Sequence, residues 1–261
     1  MSIVCTAETS NRQDFVAKII EKFRKQLDHA ESIFIKPNIV SSEPYPTTTH
    51  PNLLDALLEN LSDKKLIVGD GHAVDTGYTK NIIANSPLKE ICNKHGINLV
   101  DLYKKKMKKW TSPRGYTIKI STLPLTCDHI ISLPVLKTHK QCGLSGALKN
   151  QFGYLSRLDR ILMHAKIKDI HKGIAEVNAA IHTNLFIVDA IDTLTQAQEC
   201  RHGGCPAKLG TMISGTDPVS LDNYGRQLLQ KVDPDLPRNI KYIEYAQQYG
   251  IGTKNYTITK I

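Results

Sequence analysis

Short apolar runs alternate with amphipathic segments along most of this 261-residue chain. The apolar runs are brief and rich in β-branched residues, which is typical of buried strands. The segments between them place apolar residues three and four positions apart, which predicts helices with one buried face. The predicted strands are 33–35, 66–68, 97–102, 129–135, 185–188 and 209–214, and the predicted helices are 12–29, 51–61, 87–95, 165–181, 218–232 and 239–249.

This alternation predicts a single α/β domain over residues 1–261, with a mainly parallel sheet and helices on both faces. Residues 103–128 break the pattern, because a basic stretch is followed there by short β segments. We expect them to form a basic β insertion or hairpin. Ligands of open α/β sheets bind beyond the carboxyl ends of the strands, so polar residues there predict the functional edge. These residues are Lys36, Asp70, Lys137, Asp189 and Asp217.

The segment 129–153 carries the strongest functional signal. An apolar run ends at 137–139 in Lys-Thr-His, and a glycine-spaced turn then leads to Lys149 and Asn150. Packing alone does not require two lysines, a histidine and several glycines next to a strand end. The segment therefore predicts one side of an active site.

Lysines at strand ends and glycine turns predict a pocket for an anion. Lys36 follows a short strand, and Lys137 and Lys149 lie in the segment 129–153. Each lysine alone could be a surface residue whose alkyl chain packs on the protein. Together they predict a cationic pocket for a small carboxylate or phosphate substrate. Further candidate substrate contacts are the neighbouring amides Asn38 and Asn150.

Two histidines and one aspartate are candidates for proton transfer. His139 and His164 flank the glycine turn, and an imidazole titrates near neutral pH. Asp70 lies between two glycines after a predicted strand, where it could assist catalysis, bind a metal or ribose, or only form the turn. The candidate catalytic residues are His139, Lys149, His164 and Asp70.

A metal site is an open alternative. His139 and His164 could coordinate a divalent cation. Cys200, His202 and Cys205 are closely spaced and offer a weaker set of ligands. A structural zinc site needs four ligands, and no second cysteine pair completes this set. The cofactor therefore stays unassigned.

The formal net charge of +9 raises nucleic acid as a partner. The densest basic segment is 104–114, but a solvated loop explains such a run more simply, and no nucleic-acid-binding motif accompanies it. No apolar run approaches the about 18 residues that cross a bilayer, and the N-terminal residues do not resemble a signal peptide. We expect a cytoplasmic chain without a membrane partner, and its oligomeric state stays open.

The motifs of this chain resemble those of the family named domain of unknown function 362. The matching segments, in order, are IKPNIV at 35–40, TTTHP at 47–51, VGDG at 68–71, SLPVLKTH at 132–139, LSGALKNQFG at 144–153, His164, IVDAID at 187–192 and GTDPVSLD at 215–222. Many members of that family carry a ferredoxin-like iron–sulfur module, whose cysteine motif this sequence lacks. The resemblance therefore implies the family's α/β domain, and we expect no ferredoxin-type iron–sulfur cluster.

A second part of the chain is similar to the catalytic region of nickel-pincer lactate racemase. In that family a histidine, a glycine-rich turn, a lysine that bears the pincer cofactor and a nickel-binding histidine follow in order. Here the order is His139, a glycine turn at 143–146, Lys149 and His164. The resemblance implies that Lys149 tethers a cofactor or contacts substrate, that His139 is an acid or base, and that His164 is a ligand or second base.

The leading hypothesis is an enzyme that acts on a small anionic substrate by Lys/His proton transfer, as in an isomerase or racemase. One alternative is a binding module without catalysis that recruits an acidic partner or nucleic acid through 104–114. Another is a metal or redox accessory protein. A common cleft for the candidate residues would favour the first.

Overall fold

The computed structural model of the protein describes residues 1–76 and 81–261. Within these ranges the strands are β1 (Ser2–Glu8), β2 (Ser32–Pro37), β3 (Lys65–Asp70), β4 (Leu99–Asp101), β5 (Met107–Thr111), β6 (Thr117–Ser121), β7 (His129–Leu133), β8 (Lys137–His139), β9 (Gly143–Ser145), β10 (Leu185–Thr195), β11 (Cys205–Gly215) and β12 (Tyr256–Lys260). The helices are α1 (Arg12–Leu27), α2 (Pro51–Asn60), α3 (Leu88–Lys94), α4 (Ala147–Asn150), α5 (Arg157–His164), α6 (Ile170–Ala180), α7 (Pro218–Leu229) and α8 (Lys241–Gln248). None of these helices combines the length and the apolar content that a membrane span requires.

The central sheet has the strand order β12-β1-β11-β10-β7-β2-β3-β4 in the described ranges. The strands from β10 to β4 are parallel, β12 is parallel to β1, and β11 is antiparallel to both of its neighbours. One strand of this sheet therefore runs against the other seven. The sheet is mixed but mostly parallel, which confirms the predicted fold class, and it brings the carboxyl ends of β2, β3 and β7 to one edge.

Side chains of the central strands pack into two hydrophobic cores, one on each face of the sheet. In β2, Phe34 belongs to one core, whereas Ile33 and Ile35 belong to the other. Helices α1, α2 and α3 pack into the Ile33 core, and α4, α5, α6, α7 and α8 pack into the Phe34 core. Helices therefore bury both faces of the sheet, as expected for parallel strands.

The predicted basic insertion forms a hairpin, in which β5 and β6 pair antiparallel. Arg114 lies in the turn between β5 and β6. This turn is bound to α6, because Arg114 Nε lies 2.9 Å from Oε1 of the buried Glu176. A second small hairpin pairs β8 with β9 and sets Lys137 opposite Ser145. This second hairpin was not predicted, and it fixes the direction of the segment that carries Lys137 and His139.

The helix predicted at 165–181 is wrong at its start. It begins at Ile170, because the Asp169 side chain accepts the first free backbone N–H groups of α6 and caps it. The preceding residues form a turn in which Lys166 has a φ of 61°. Ile167, predicted on the buried face, is 71% exposed. An additional helix, α5, ends just before this turn and carries His164.

Candidate functional site

The carboxyl ends of β2, β3 and β7 border a cavity of about 360 Å³. Lys36 lies near the end of β2, Asp70 ends β3, and Lys137 begins β8 shortly after β7. Parallel strands end at a common edge, which explains why distant parts of the chain meet here. The residues predicted to carry catalysis or to bind substrate all line this cavity: Lys36, Asn38, Asp70, Lys137, His139, Lys149, Asn150 and His164.

Two other polar residues predicted at this edge lie elsewhere. Asp189 does not end its strand, because β10 continues to Thr195, and its carboxylate binds Arg12 Nε at 2.6 Å. Asp217 follows β11, the strand that runs against the others, and caps α7 through its side chain. The prediction of a common edge fails for Asp217 because the sequence does not reveal the direction of β11.

The weaker metal candidates do not form a ligand set. His202 lies at the wall of the cavity, whereas Cys200 and Cys205 are exposed free thiols outside it. Among the described residues, no group of three closely spaced potential ligands includes either cysteine. His202 groups instead with Asp75 and Glu199, and these two carboxylates already bind a neighbouring arginine side chain.

Lys36 and Asp70 form a buried ion pair in the cavity wall. Lys36 Nζ lies 2.5 Å from Asp70 Oδ1 and also donates to the Pro37 carbonyl and to Asn150 Oδ1. The Asp70 carboxylate accepts two backbone N–H groups in addition. An ammonium has three protons, and here protein oxygens hold all of them. We infer that Lys36 shapes the cavity, and its predicted role as a direct substrate contact stays a prediction.

Gly153 and Asn150 complete the surroundings of this ion pair. A Cβ at Gly153 would overlap Asp70 Oδ1 and Lys36 Nζ, so only glycine lets the backbone pass so close. Asn150 Nδ2 donates to Ser132 Oγ at 2.9 Å while its Oδ1 faces Lys36. Both residues follow Lys149 closely in sequence, which explains why this stretch is rich in glycine and amide side chains.

Three other cations of the cavity form no ion pair with a carboxylate among residues 1–76 and 81–261: Lys137, Lys149 and Arg160. Lys137 donates to two backbone carbonyls, and Arg160 donates to a carbonyl and a tyrosine hydroxyl. Among residues 1–76 and 81–261, Arg160 Nε is buried without a hydrogen-bond partner. Lys149 Nζ has no hydrogen-bond acceptor in the described residues and lies against an aromatic ring. These three cations therefore face the cavity without a carboxylate in direct contact, although Glu199 also lines it.

Burial weakens the hold of these lysines on their protons. Burial lowers the pKa of Lys137 to about 7, with the charge of Glu199 opposing this shift and the charge of Lys149 adding to it. Burial also lowers the pKa of Lys149, with Arg160 acting in the same direction. A negative charge in the cavity would oppose both causes, because it favours the protonated amines. Binding of an anion is therefore coupled to uptake of protons.

Two amide oxygens of the cavity wall complement these donors. Asn38 Oδ1 and Gln198 Oε1 are buried and have no hydrogen-bond partner in the part of the chain that the structure describes. A buried oxygen without a donor costs about 1–3 kcal/mol, so such atoms are rare in folded proteins. A ligand that carries hydroxyl or amine protons would satisfy them. The cavity thus offers acceptors as well as positive charge, and Asn38 keeps its candidacy as a substrate contact.

His139 presents a proton to the cavity. Its Nδ1 accepts the backbone N–H groups of Gln141 and Cys142, both at 3.2 Å. A nitrogen that accepts cannot carry a proton, so the neutral ring is protonated at Nε2. Burial, with the nearby charge of Lys149, holds the pKa of His139 well below its ordinary value. His139 is therefore a neutral hydrogen-bond donor rather than a base.

His164 presents the opposite tautomer. Its Nδ1 lies 3.0 Å from Gln141 Oε1, which can only accept, so Nδ1 carries the proton and Nε2 keeps a free electron pair. Burial, with the charges of Lys149 and Arg160, lowers the pKa of His164 to about 4. His164 is therefore unprotonated at neutral pH. Gln141 sets both tautomers, because its backbone faces His139 and its side chain faces His164.

The histidine pair does not fit a metal ion held by both rings. His164 Nε2 could serve as a ligand, and its Nδ1–H is already oriented by Gln141. His139 could not, because Nδ1 is occupied by two backbone donors and Nε2 holds the proton. Within the ranges described, neither histidine belongs to a group of three potential ligands. The two histidines therefore do not fit nickel or another metal held by both rings.

Phe152 positions three groups of the cavity. Its ring centroid lies 5.0 Å from Lys149 Nζ, 5.3 Å from Arg160 Cζ and 5.8 Å from the His164 ring. Aromatic faces attract cations, and Phe152 is only 2% exposed, so its position is fixed by packing. Neither Phe152 nor Arg160 was predicted from the sequence as a residue of the functional site. Phe152 lies in the quoted motif at 144–153 and could have been noticed, whereas Arg160 lies on α5, which was not predicted.

The glycine turn before α4 does not hold a ligand anion. The Asp222 carboxylate accepts the N–H groups of Ala147 at 2.5 Å and Leu148 at 3.1 Å, so the protein's own anion occupies this helix start. A Cβ at Gly146 would overlap Asp222 Oδ1, which explains the glycine. Burial raises the pKa of Asp222 to about 7. An anionic ligand must therefore be recognised by side chains of the cavity.

Comparison with known proteins assigns the chain to a family, whose matched region contains this cavity. The family described as Domain of unknown function (DUF362) matches residues 33–227, which include the cavity residues named above. No curated protein matches the sequence. The structure of the lactate racemase apoprotein from Thermoanaerobacterium thermosaccharolyticum is similar with a TM-score of 0.50 and 14% identity, over 84% of this chain and 55% of that chain. A protein from Thermotoga maritima has a TM-score of 0.44 and 14% identity, over 90% and 59%. The chain thus spans less than two thirds of either structure, and the likeness concerns the fold.

Proposed function

The chain belongs to the family described as Domain of unknown function (DUF362), and on that premise we propose that it is an enzyme that transfers a proton on a small carboxylate or phosphate substrate. One observation carries the proposal: Lys137, Lys149 and Arg160 have no carboxylate partner among the described residues and surround a cavity whose His164 keeps a free nitrogen. A lactate racemase is among the structures of similar fold, and that name is in keeping with an isomerase of small carboxylates.

The anionic group of the substrate binds to the cations of the cavity. The Arg160 guanidinium presents a buried Nε that has no acceptor among the described residues. Lys137 adds charge once an anion favours its protonated form. Asn38 accepts a hydroxyl proton of the same molecule. These contacts hold the reacting carbon next to the histidines, which converts binding into orientation.

His164 acts as the base in this proposal, and His139 acts as a hydrogen-bond donor. Nε2 of His164 removes a proton from the carbon next to the acid group, and the negative charge then moves onto oxygen. Nε2–H of His139 and the cations stabilise that oxygen. A pKa near 4 makes His164 a weak base, but a bound anion raises this pKa toward the working range. Asp70 supports the site indirectly by holding Lys36.

Hydrogen–deuterium exchange tests this proposal. The protein is incubated in D2O with a panel of small carboxylates and phosphates, and proton NMR follows the hydrogen on the carbon next to the acid group. We expect exchange with at least one compound, and we expect its loss in His164→Gln and Lys149→Met. His182→Gln is the matched control, because His182 is exposed and lies outside the cavity.

Two outcomes would contradict the proposal. Exchange that persists unchanged in His164→Gln would remove the base from the mechanism. Compounds that bind to the wild-type cavity without any exchange would leave a binding protein rather than an enzyme. The variants should be compared at equal folded fraction, measured by circular dichroism, so that a loss of exchange reports on chemistry.

The basic hairpin supports a second proposal, a surface for an acidic partner or nucleic acid. Lysines 104–106 and 108–109 are exposed and form no ion pair with the described residues. Arg114 is not part of this surface, because it is bound to Glu176. Duplex DNA is a suitable probe, since affinity through phosphates falls steeply with salt. No binding at low salt, or equal binding by Lys108→Glu/Lys109→Glu, would contradict this proposal.

A further inference from the structure

Lys149 is placed to do more than hold an anion. We propose that the Lys149 amine forms an imine with the carbonyl group of a 2-oxo acid bound in the cavity. The inference rests on the proposed anion-binding function and adds a covalent step and a substrate class to it.

The contacts of Lys149 distinguish it from the other lysines of the cavity. Lys36 donates to three oxygens, Lys137 to two carbonyls, and Lys140 to the carbonyl of His202. Lys149 Nζ has no acceptor in the described part of the chain and lies 5.0 Å from the Phe152 ring centroid. Lys149 is only partly buried, so its amine is open to the cavity without an acceptor from the described residues. A neutral amine is the nucleophilic form of lysine.

Burial lowers the pKa of Lys149, which agrees with this assignment. Each unit by which the pKa of an amine falls raises its neutral fraction near pH 7 about tenfold. Exposed lysines outside the cavity, such as those of the basic hairpin, lack this cause. Lys149 should therefore react with carbonyl compounds faster than the exposed lysines of the chain.

Neighbouring groups supply the remaining parts of an imine-forming site. The Arg160 guanidinium holds the carboxylate of the oxo acid. His139 offers Nε2–H to the carbonyl oxygen, and His164 offers a free Nε2 to a proton. Phe152 keeps Lys149, Arg160 and His164 together on one ring. The carbonyl carbon next to a carboxylate therefore lies within reach of the amine.

The proposed step balances without an oxidant or a reductant. The electron pair of Lys149 Nζ forms a bond to the carbonyl carbon, while the carbonyl π pair moves to oxygen. The oxygen gains a proton, the nitrogen loses one, and a carbinolamine results. Loss of that oxygen as water gives the imine, so one amine and one carbonyl compound yield one imine and one water. The protonated imine withdraws electrons from C3 of the oxo acid, on the side away from the carboxylate, which lets a weak base such as His164 remove a proton from C3. The carbon next to the carboxylate has no hydrogen in a 2-oxo acid, so the proton transfer of the proposed function takes place at C3 in this substrate class.

Reductive trapping tests the inference. The full-length protein is incubated with pyruvate and sodium cyanoborohydride, and peptide mapping by mass spectrometry locates the reduced adduct. We expect the adduct on Lys149 to exceed that on any exposed lysine. Lys149→Arg, which has no nucleophilic amine, should lose it. Lys25→Arg is the matched control and should keep it, because Lys25 is exposed and lies outside the cavity.

The same samples separate failure of the imine from failure of the anion site. Lactate has a carboxylate but no carbonyl group, so its binding by calorimetry reports on the cavity alone. Lactate binding without an adduct on Lys149 would overturn the imine and leave the anion site intact. Pyruvate adducts spread evenly over surface lysines would overturn the imine as well. Failure of both lactate and pyruvate to bind or react would overturn both proposals.

Discussion

The same substitution at two lysines of one cavity should have opposite effects on stability. Lys36→Met removes the partner of Asp70, whose side chain is 2% exposed, and leaves that carboxylate buried. Lys149→Met removes an amine that has no acceptor among the described residues, and methionine can pack on the Phe152 ring. The two lysines look alike in sequence, so the comparison tests the contacts rather than the residue type.

The contacts set the expected size of each effect. Breaking a buried ion pair by removing one partner costs about 3–5 kcal/mol. Asp70 keeps two backbone N–H groups after Lys36→Met, so we expect a loss near the lower limit, about 3 kcal/mol. That is a large part of the about 5–15 kcal/mol that stabilises a typical domain. For Lys149→Met we expect an unchanged or higher free energy of unfolding, because no hydrogen bond to the described residues is lost and the partly buried side chain becomes apolar.

Urea denaturation provides the assay. The fluorescence of the single tryptophan, Trp110, and circular dichroism should report one transition, from which linear extrapolation gives the free energy of unfolding. Asp70→Asn in the Lys36→Met background removes the uncompensated charge and should restore most of the loss. A cost below about 1 kcal/mol for Lys36→Met, the range of exposed ion pairs, would refute the argument. A cost for Lys149→Met as large as that for Lys36→Met would refute it too.

Three further predictions follow from the cavity. The pKa of Lys137 is about 7 in the fold and 10.5 ordinarily, so the unfolded chain binds more protons between these values and the free energy of unfolding should rise with pH there. Urea titrations from pH 7 to 10 should show this slope flattened in Lys137→Met, and an equal slope would assign it elsewhere. Gly153→Ala places a methyl group against the ion pair of Lys36 and Asp70 and should cost about 1–3 kcal/mol in the same assay, whereas an unchanged stability would mean that the backbone relaxes. Arg160→Leu should weaken binding of a carboxylate probe about tenfold to hundredfold by calorimetry, since a hydrogen bond to a charged group contributes about 1.5–3 kcal/mol, and undiminished affinity would exclude Arg160 as the anchor.

Local signals predicted the elements of the fold that depend on neighbouring residues. The helix predicted at 218–232 is α7, which begins at Pro218 with the Asp217 side chain as its cap. The strands β1 and β12 were missed, because their stability comes from distant partners. Cys5 of β1 lies opposite Ser214, and exposed residues such as Ile258 give β12 no clear burial pattern. Strand pairing across most of the chain leaves little trace in a local window.

The sequence predicted which residues meet in the cavity but not what each can do there. Strand ends and a glycine turn were enough to group Lys36 and Lys149. The two lysines differ in their contacts, and these depend on residues that are remote in sequence. Asp70 binds Lys36, whereas no carboxylate among the described residues forms an ion pair with Lys149. The tautomers of the two histidines depend likewise on the orientation of Gln141. Such contacts arise only once the backbone is folded, so motif spacing does not contain them.

The carboxylate of Asp222 at the start of α4 has a consequence for how this scaffold could diversify. A loop that binds anions through main-chain amides offers the same donors in every sequence that adopts its conformation. A single side-chain substitution therefore changes its ligand preference very little. Here Asp222 occupies these main-chain amides, so a ligand cannot bind to them. The selectivity for the ligand therefore depends on the side chains of the cavity, which mutation can change. Related proteins with this architecture could acquire different substrates through a few codon changes, and common ancestry would then say little about shared chemistry.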